Sequence, residues 1–441
     1  MNFLDTAADR LFDSSPVLLT GRVARVVGLV IEAEGIAVPV GAVCEVGAER
    51  VRAECVGFRE DRALLMPLGE TRGLRRHDAV VAVPGGATVP AGPELLGRVV
   101  NALGDPIDGG PAFHSATRVP VYAPPPPAMT RRRIDKALAT GVRSLDAFAT
   151  LGAGQRLGLF SGSGVGKSLL LGMITRNTAA DVVVVALVGE RGREVRDFLE
   201  RDLGPEGRRK AVVVVATGDE PALLRARAPF VATAIAESFR DEGKNVLLLM
   251  DSITRMANSL REIGISAGEP PATRGYPPSV FSTMPKLLER AGQAATGSIT
   301  GIYSVLVEGD DINEPVADAA RGILDGHIWL SRALAQRGHF PALDVLASIS
   351  RLMFEVATPD HRAAADRVRA LLAAWRGAED LIAVGAYQKG ASPEVDRAIA
   401  SMDRINAFLR QPLMEKSSLE ATVAALREIG SSSLSEPKGS A

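Results

Sequence analysis

The chain has 441 residues, 46% of them hydrophobic and 23% charged, with 51 basic side chains against 52 acidic ones. That length suggests about three domains, and the composition is that of a globular chain able to bury a large core. A net charge of −1 gives no whole-molecule attraction for nucleic acid or anionic lipid. No stretch approaches the roughly 20 apolar residues that span a bilayer, so a soluble, cytoplasmic protein is expected.

The N-terminal segment, residues 1–20, begins MNFLDTAADRLFDSSP. It carries acidic residues and no long apolar core, unlike a secretory signal. Leu4, Ala8, Leu11 and Phe12 fall on one helical face; a partner or membrane contact and a frayed terminus both fit. From 21 to 100 the chain alternates apolar and polar residues between glycines, as in GRVARVVGLVIEAEG and VRAECVGF. Short, closely spaced strands of this kind predict a small β-barrel. Cys44 and Cys55 match no zinc spacing and are expected as free thiols. Residues 101–130 hold the turn-rich NALGDPIDGG and the run APPPPA, which predicts a stiff extended linker.

Between 131 and 354 the texture changes. DVVVVALV, AVVVVA and NVLLLMD show no polar alternation, as expected of strands covered by helices on both faces. A parallel α/β domain follows from that pattern. Residues 355–429, rich in Ala, Leu, Arg and Glu, predict a helical domain, and 430–441 a disordered polar tail.

The stretch RLGLFSGSGVGKSLLLG reads as strand, loop and helix. Ser161, Gly162, Ser163, Gly164, Val165 and Gly166 form the loop, and Lys167 and Ser168 open the helix. Glycines let backbone N–H groups crowd around phosphate oxygens, and the helix N-terminus adds partial positive charge. In that role Lys167 reaches the β- and γ-phosphates of ATP and Ser168 ligates Mg²⁺. Ser161 stands where the strict phosphate-loop pattern has glycine; a small residue fits there if the backbone does not need positive φ.

Asp251 ends NVLLLMD, either as the acid that orients Mg²⁺ through its water shell or as the cap of the next helix. Glu190 and Arg191 follow another apolar run, at the strand end where α/β sheets bind ligands. Glu190 would align the attacking water and Arg191 would contact the γ-phosphate; a solvated charge cluster is the other reading. Arg351, after SIS, fits a structural ion pair and an arginine finger equally. Phe340 fits base stacking or core filling.

Together FSGSGVGKS, LVGERGREVRDF, MDSITRMA, GYPPSVFSTMPKLLERAG and PALDVLASISR resemble the catalytic subunit family of rotary ATPases. Within it they most resemble the flagellar and type III secretion export ATPases. The resemblance extends to GRVVNALGDPIDG and AYQKGASPEVDRAI, and so covers most of the chain. It implies an N-terminal β-barrel, a central RecA-like domain and a C-terminal helical domain. It also implies a homo-oligomeric ring, commonly a hexamer, with MgATP between subunits. Lys167 and Ser168 match the phosphate and Mg²⁺ positions, Glu190 the catalytic glutamate, Arg191 a γ-phosphate contact and Asp251 the Walker B acid. Arg351 matches the arginine that reaches the neighbouring subunit's nucleotide. Phe340 stands where the family often has an adenine-stacking tyrosine, and Ser161 where export members commonly have alanine.

The implied function is ATP hydrolysis for the flagellar export apparatus, with its chaperones and substrates as partners and peripheral membrane association. The general similarity around PSVFSTMPKLLERAG favours the flagellar branch; a virulence secretion ATPase is the alternative. An ATP synthase catalytic subunit and a Rho-like RNA translocase rank below both. The first 95 residues offer only Phe3, Phe12 and Phe58 as aromatics, too few for an RNA-stacking surface. Glu190 argues against a subunit that binds nucleotide without turnover.

Overall fold

A computed structural model of the chain describes residues 19–113, 117–307, 309, 311 and 313–432. The helical face expected over residues 4–12 and the tail beyond 432 lie outside the described residues.

Strands Thr20–Val27, Val30–Glu34, Val43–Val46, Val51–Arg59, Arg62–Pro67 and Ala79–Ala82 close into a six-stranded barrel. Alternation sets its interior: Ile31, Ala33, Cys44, Val46, Ala53, Cys55, Leu65 and Val80 are buried together. Closure removes the exposed sheet edges that such short strands would otherwise present. Both cysteines are free and buried in this interior.

A buried charge pair fastens the barrel to the core beside the apolar packing of Val30, Leu64 and Met66. Arg227, on the helix Ala222–Asp241, donates through Nη1 to Glu54 Oε2 at 2.9 Å, and Tyr122 Oη donates to Glu54 Oε1 at 3.2 Å. Burial raises the Glu54 carboxyl and the Arg227 charge lowers it, with burial dominant. Removing one partner of such a pair strands the other charge. Glu54→Ala is therefore expected to cost about 3–5 kcal/mol in chemical denaturation; a loss below about 1 kcal/mol would show that the pair does not fasten the barrel.

The core sheet runs in the order Leu343–Ser350, Gly326–Leu330, Arg156–Ser161, Ser298–Leu306, Asn245–Asp251, Val182–Glu190, Ala211–Thr217, Val99–Asn101. All neighbours pair in parallel except the edge strand Leu343–Ser350, which is antiparallel to Gly326–Leu330. Helices cover both faces. Every residue from Val182 to Val188 is buried, which is why the run lacks polar alternation.

The connector between barrel and core is more structured than a linker. Val99–Asn101 joins the core sheet beside Ala211–Thr217, and Thr117–Pro120 pairs with Thr88–Ala91. Asp108 secures the first of these: it accepts from Arg98 Nε at 2.8 Å and from Val99 N at 3.0 Å. Beyond the proline run, Arg131 donates to Ala291 O and Arg132 to Ala294 O and Gly297 O, so the stiff segment is pinned along the core.

Helices Pro359–Ala383, Pro393–Leu409 and Leu419–Ser432 form the C-terminal layer. Thr358 and Ser392 cap the first two through their side chains, each with proline at the first helical position, where no N–H is needed. The last helix runs to Ser432, past the expected boundary at 429. Among the described residues no helix is long and apolar enough to cross a membrane.

Candidate active site

The strand Arg156–Ser161 leads into the loop that ends at the helix Lys167–Asn177. Gly164 and Gly166 take φ of +77° and +88°, a conformation that other L-residues rarely adopt. Gly166 sits at the N-cap without a side-chain cap, so the first helical N–H groups remain free for an anion. Ser161 is strand, outside the positive-φ residues, which is why serine is tolerated in place of glycine.

Two strands end beside this loop in carboxylates, Glu190 and Asp251, and the helix after the loop brings Lys167 between them. Lys167 Nζ lies 2.5 Å from Asp251 Oδ1 and 3.8 Å from Glu190 Oε1. Ser304 Oγ donates to Asp251 Oδ1 at 2.9 Å. Arg255, on the first turn of the helix Ile253–Ala267, reaches back to Glu190 Oε2 at 3.2 Å and also donates to Gly189 O. The result is an open cleft of about 620 Å³. Its walls include Gly162, Ser163, Gly164, Lys167, Ser168 and Glu190.

Burial, the nearby Asp251 charge and a hydrogen bond shared with Glu194 push the Glu190 carboxyl up to about 7, against the pull of Lys167 and Arg255. A carboxyl held near neutral pH suits proton transfer or water alignment. The same shift links stability to pH. Between its ordinary 4.5 and about 7, the folded chain keeps a proton on Glu190 that the unfolded chain has released. Glu190 therefore favours folding at low pH, and that contribution is lost as pH rises through about 7. Thermal unfolding of the protein without added nucleotide should show stability falling across this window, with the fall reduced in Glu190→Gln. An identical slope in the variant contradicts the assignment.

The remaining expected residues divide by position. Arg191 is on the cleft wall and exposed, 3.8 Å from Glu194. The Val165 side chain is buried in the core, leaving only its backbone for a ligand. Phe340 is 41% exposed rather than core, and its ring abuts Gly166: a Cβ there would sit 3.2 Å from Cε1.

Arg351 lies elsewhere. Ser350 pairs with Gly326 and Leu343 with Leu330, so the edge strand runs away from the loop and delivers Arg351 to the opposite end of the sheet. There Arg351 N donates to Asp325 O at 3.0 Å, and the Asp325 carboxylate accepts from Arg156 N at 3.0 Å, at the start of the loop's own strand. The five residue steps of that strand put about 17 Å between the two ends. The Arg351 side chain is exposed and has no ion pair among the described residues.

Arg255, Glu194 and Ser304 were not singled out from the sequence. Arg255 sits four residues after Asp251, and only the start of a helix at Ile253 turns it back toward Glu190.

Three family models match the chain. The β-barrel domain of the ATP synthase alpha/beta family matches residues 23–83 and its nucleotide-binding domain residues 141–350. The T3SS EscN ATPase C-terminal domain matches 357–428. The flagellum-specific ATP synthase of Bacillus subtilis is 50% identical over 414 residues, covering 93% of this chain and 94% of that protein. The type 3 secretion system ATPase of Xanthomonas euvesicatoria is 49% identical over 413 residues, covering 93% of each. The assembled ATPase EscN of enteropathogenic E. coli, solved in complex with its central stalk EscO, superimposes with a TM-score of 0.87 at 42% identity. That match covers 93% of this chain and 100% of the solved one. With a glycine cradle, a lysine between two carboxylates and relatives of this closeness over nearly its whole length, the chain belongs to the ATP synthase alpha/beta family and is a P-loop ATPase.

Proposed function

We propose that this protein is the ATPase of a flagellar type III export apparatus, hydrolysing MgATP at sites shared between neighbouring copies of itself. The observation that carries this reading is the split of the catalytic set. Lys167, Glu190 and Asp251 meet at one end of the sheet, while Arg351 stands at the other. A ring of copies packed head to tail would bring the Arg351 of one copy to the cleft of the next.

Within a cleft, the loop N–H groups and Lys167 bind the phosphate tail, with Lys167 exchanging Asp251 for phosphate oxygens. Glu190 aligns water for in-line attack on the γ-phosphorus, Arg191 contacts the γ-phosphoryl oxygens, and Phe340 offers a face to the adenine. Among the described residues no group of three or more His, Cys, Asp or Glu side chains could hold a metal unaided. Ser168 and Asp251 are hard oxygen donors, and Mg²⁺ is commonly held by one or two protein oxygens with the substrate's phosphates, so the residues fit. Mg²⁺ there would neutralise charge on the β- and γ-phosphates.

The near-equal likeness to a flagellar and a secretion relative keeps a virulence secretion ATPase as the second reading. The export apparatus, a stalk protein, chaperones and export substrates are the partners of either, with peripheral association at the cytoplasmic face of the membrane and no nucleic acid. Deleting the gene in its own organism separates the readings. Loss of filaments supports the flagellar assignment; intact filaments with lost effector secretion would replace it.

A further inference from the structure

Arg351 follows directly on the edge strand Leu343–Ser350, which pairs on one side only, with Gly326–Leu330. That ladder is interrupted. Ser350 and Ile349 pair with Gly326 and His327, and a register shift then separates them from the pairs at the far end, Asp344 with Trp329 and Leu343 with Leu330. Sheet pairing alone therefore holds the end that bears Arg351 through two residue pairs.

Asp325 supplies the rest. Its carbonyl O accepts from Arg351 N at 3.0 Å, and its own N donates to Arg156 O at 2.8 Å. Its carboxylate accepts from Arg156 three times: from N at 3.0 Å, Nε at 3.2 Å and Nη2 at 3.3 Å. Bonds between charged partners of this kind are the strong ones. Arg156 in turn begins a strand that is paired on both sides, with Ser298–Leu306 and with Gly326–Leu330. One residue thus joins the backbone of an exposed arginine to the centre of the sheet. The Arg351 side chain has no ion pair of its own among the described residues, so only its backbone fixes where the guanidinium starts. We propose that Asp325 is a positioning residue for hydrolysis in the neighbouring copy: clamped to Arg156, it presents Arg351 to the next cleft from a fixed base. This rests on the reading that Arg351 serves the next copy.

Asp325→Asn keeps the carbonyl that holds Arg351 and one side-chain acceptor, and loses the charge that fixes the Arg156 guanidinium. Turnover should fall about tenfold, short of the ~100-fold that a 1 Å misplacement can cost. The KM for MgATP should stay within about twofold, because the variant's own loop and Lys167 are intact. Mixing locates the defect. With Glu190→Gln, whose Arg351 base is whole, Asp325→Asn should regain about a quarter of wild-type activity, the share of sound interfaces in a random ring. With Arg351→Ala it should stay at the average of the two proteins, since every arginine offered is missing or misplaced. Recovery with Arg351→Ala would put the defect in the variant's own cleft and overturn the proposal, as would wild-type turnover of Asp325→Asn or no recovery with Glu190→Gln. The mixture of Arg351→Ala with Glu190→Gln is the control. If it recovers and the Asp325→Asn mixture does not, only the role of Asp325 has failed; if it does not recover, the shared-site reading has failed and takes this proposal with it. Should Asp325→Asn not assemble, Arg156→Lys, which keeps the backbone N–H but loses the guanidinium fork, takes its place in the same mixtures with the same expected outcomes.

Discussion

Replacing Glu190 by Gln is expected to leave MgATP binding within a few-fold of wild type and to lower turnover by about 10²–10⁴, the range attached to a positioned acid–base group. The substitution keeps the shape and one hydrogen-bond acceptor. It removes the carboxyl proposed to polarise water, the group held near neutral pH by burial and Asp251. Binding is expected to survive because the proposed grip on the phosphate tail is by the loop N–H groups and Lys167, and the nearer partner of Lys167, Asp251 at 2.5 Å rather than Glu190 at 3.8 Å, is untouched. Nucleotide titration and phosphate release measured on the same preparation check this. Turnover within a factor of three of wild type would show that another group aligns the water; Glu194, which shares a hydrogen bond with Glu190, would be the first to examine.

Arg351→Ala is expected to cost about 10³–10⁵ in turnover, the range found for arginines that reach a transferring phosphoryl group. Nothing within one copy explains such a loss, because the strand Leu343–Ser350 carries Arg351 to the end of the sheet remote from the loop. The effect must therefore pass between copies. Mixing inactive Arg351→Ala with inactive Glu190→Gln protein tests this directly. In a randomly assembled ring about a quarter of interfaces pair an intact Glu190 with an intact Arg351, so roughly that share of activity should return. No recovery, with both variants shown to assemble, would place Arg351 outside the catalytic step. Asp325 holds the Arg351 peptide and is itself clamped by Arg156, so the arginine projects from an anchored base.

The architecture was readable in the sequence because burial on both sheet faces erases polar alternation. Val182–Glu190, Ala211–Thr217 and Asn245–Asp251 stand out for that reason, and Glu190 and Asp251 are visible as the charges that end two of them. The glycine loop is visible because positive φ at 164 and 166 restricts residue choice. Features that depend on long-range pairing were hidden. Val99–Asn101 is only three residues long and joins a partner more than a hundred positions away, so Val99 and Val100 read as the end of the barrel and Asn101 as linker. Arg255 gains its role from the rotation of a helix relative to a separate strand. Phe340 could be told from a core residue only once its ring was placed against Gly166.

In the proposed function, nucleotide binding and everything that follows from it rest on the loop 162–166 and on Lys167 at the start of the next helix. Calorimetric titration of the intact protein with MgATP, beside Lys167→Ala, tests it most directly. Saturable binding by the wild type, weakened at least a hundredfold in the variant, is the predicted result. Equal affinity of the two proteins, or no binding by the wild type, would contradict it.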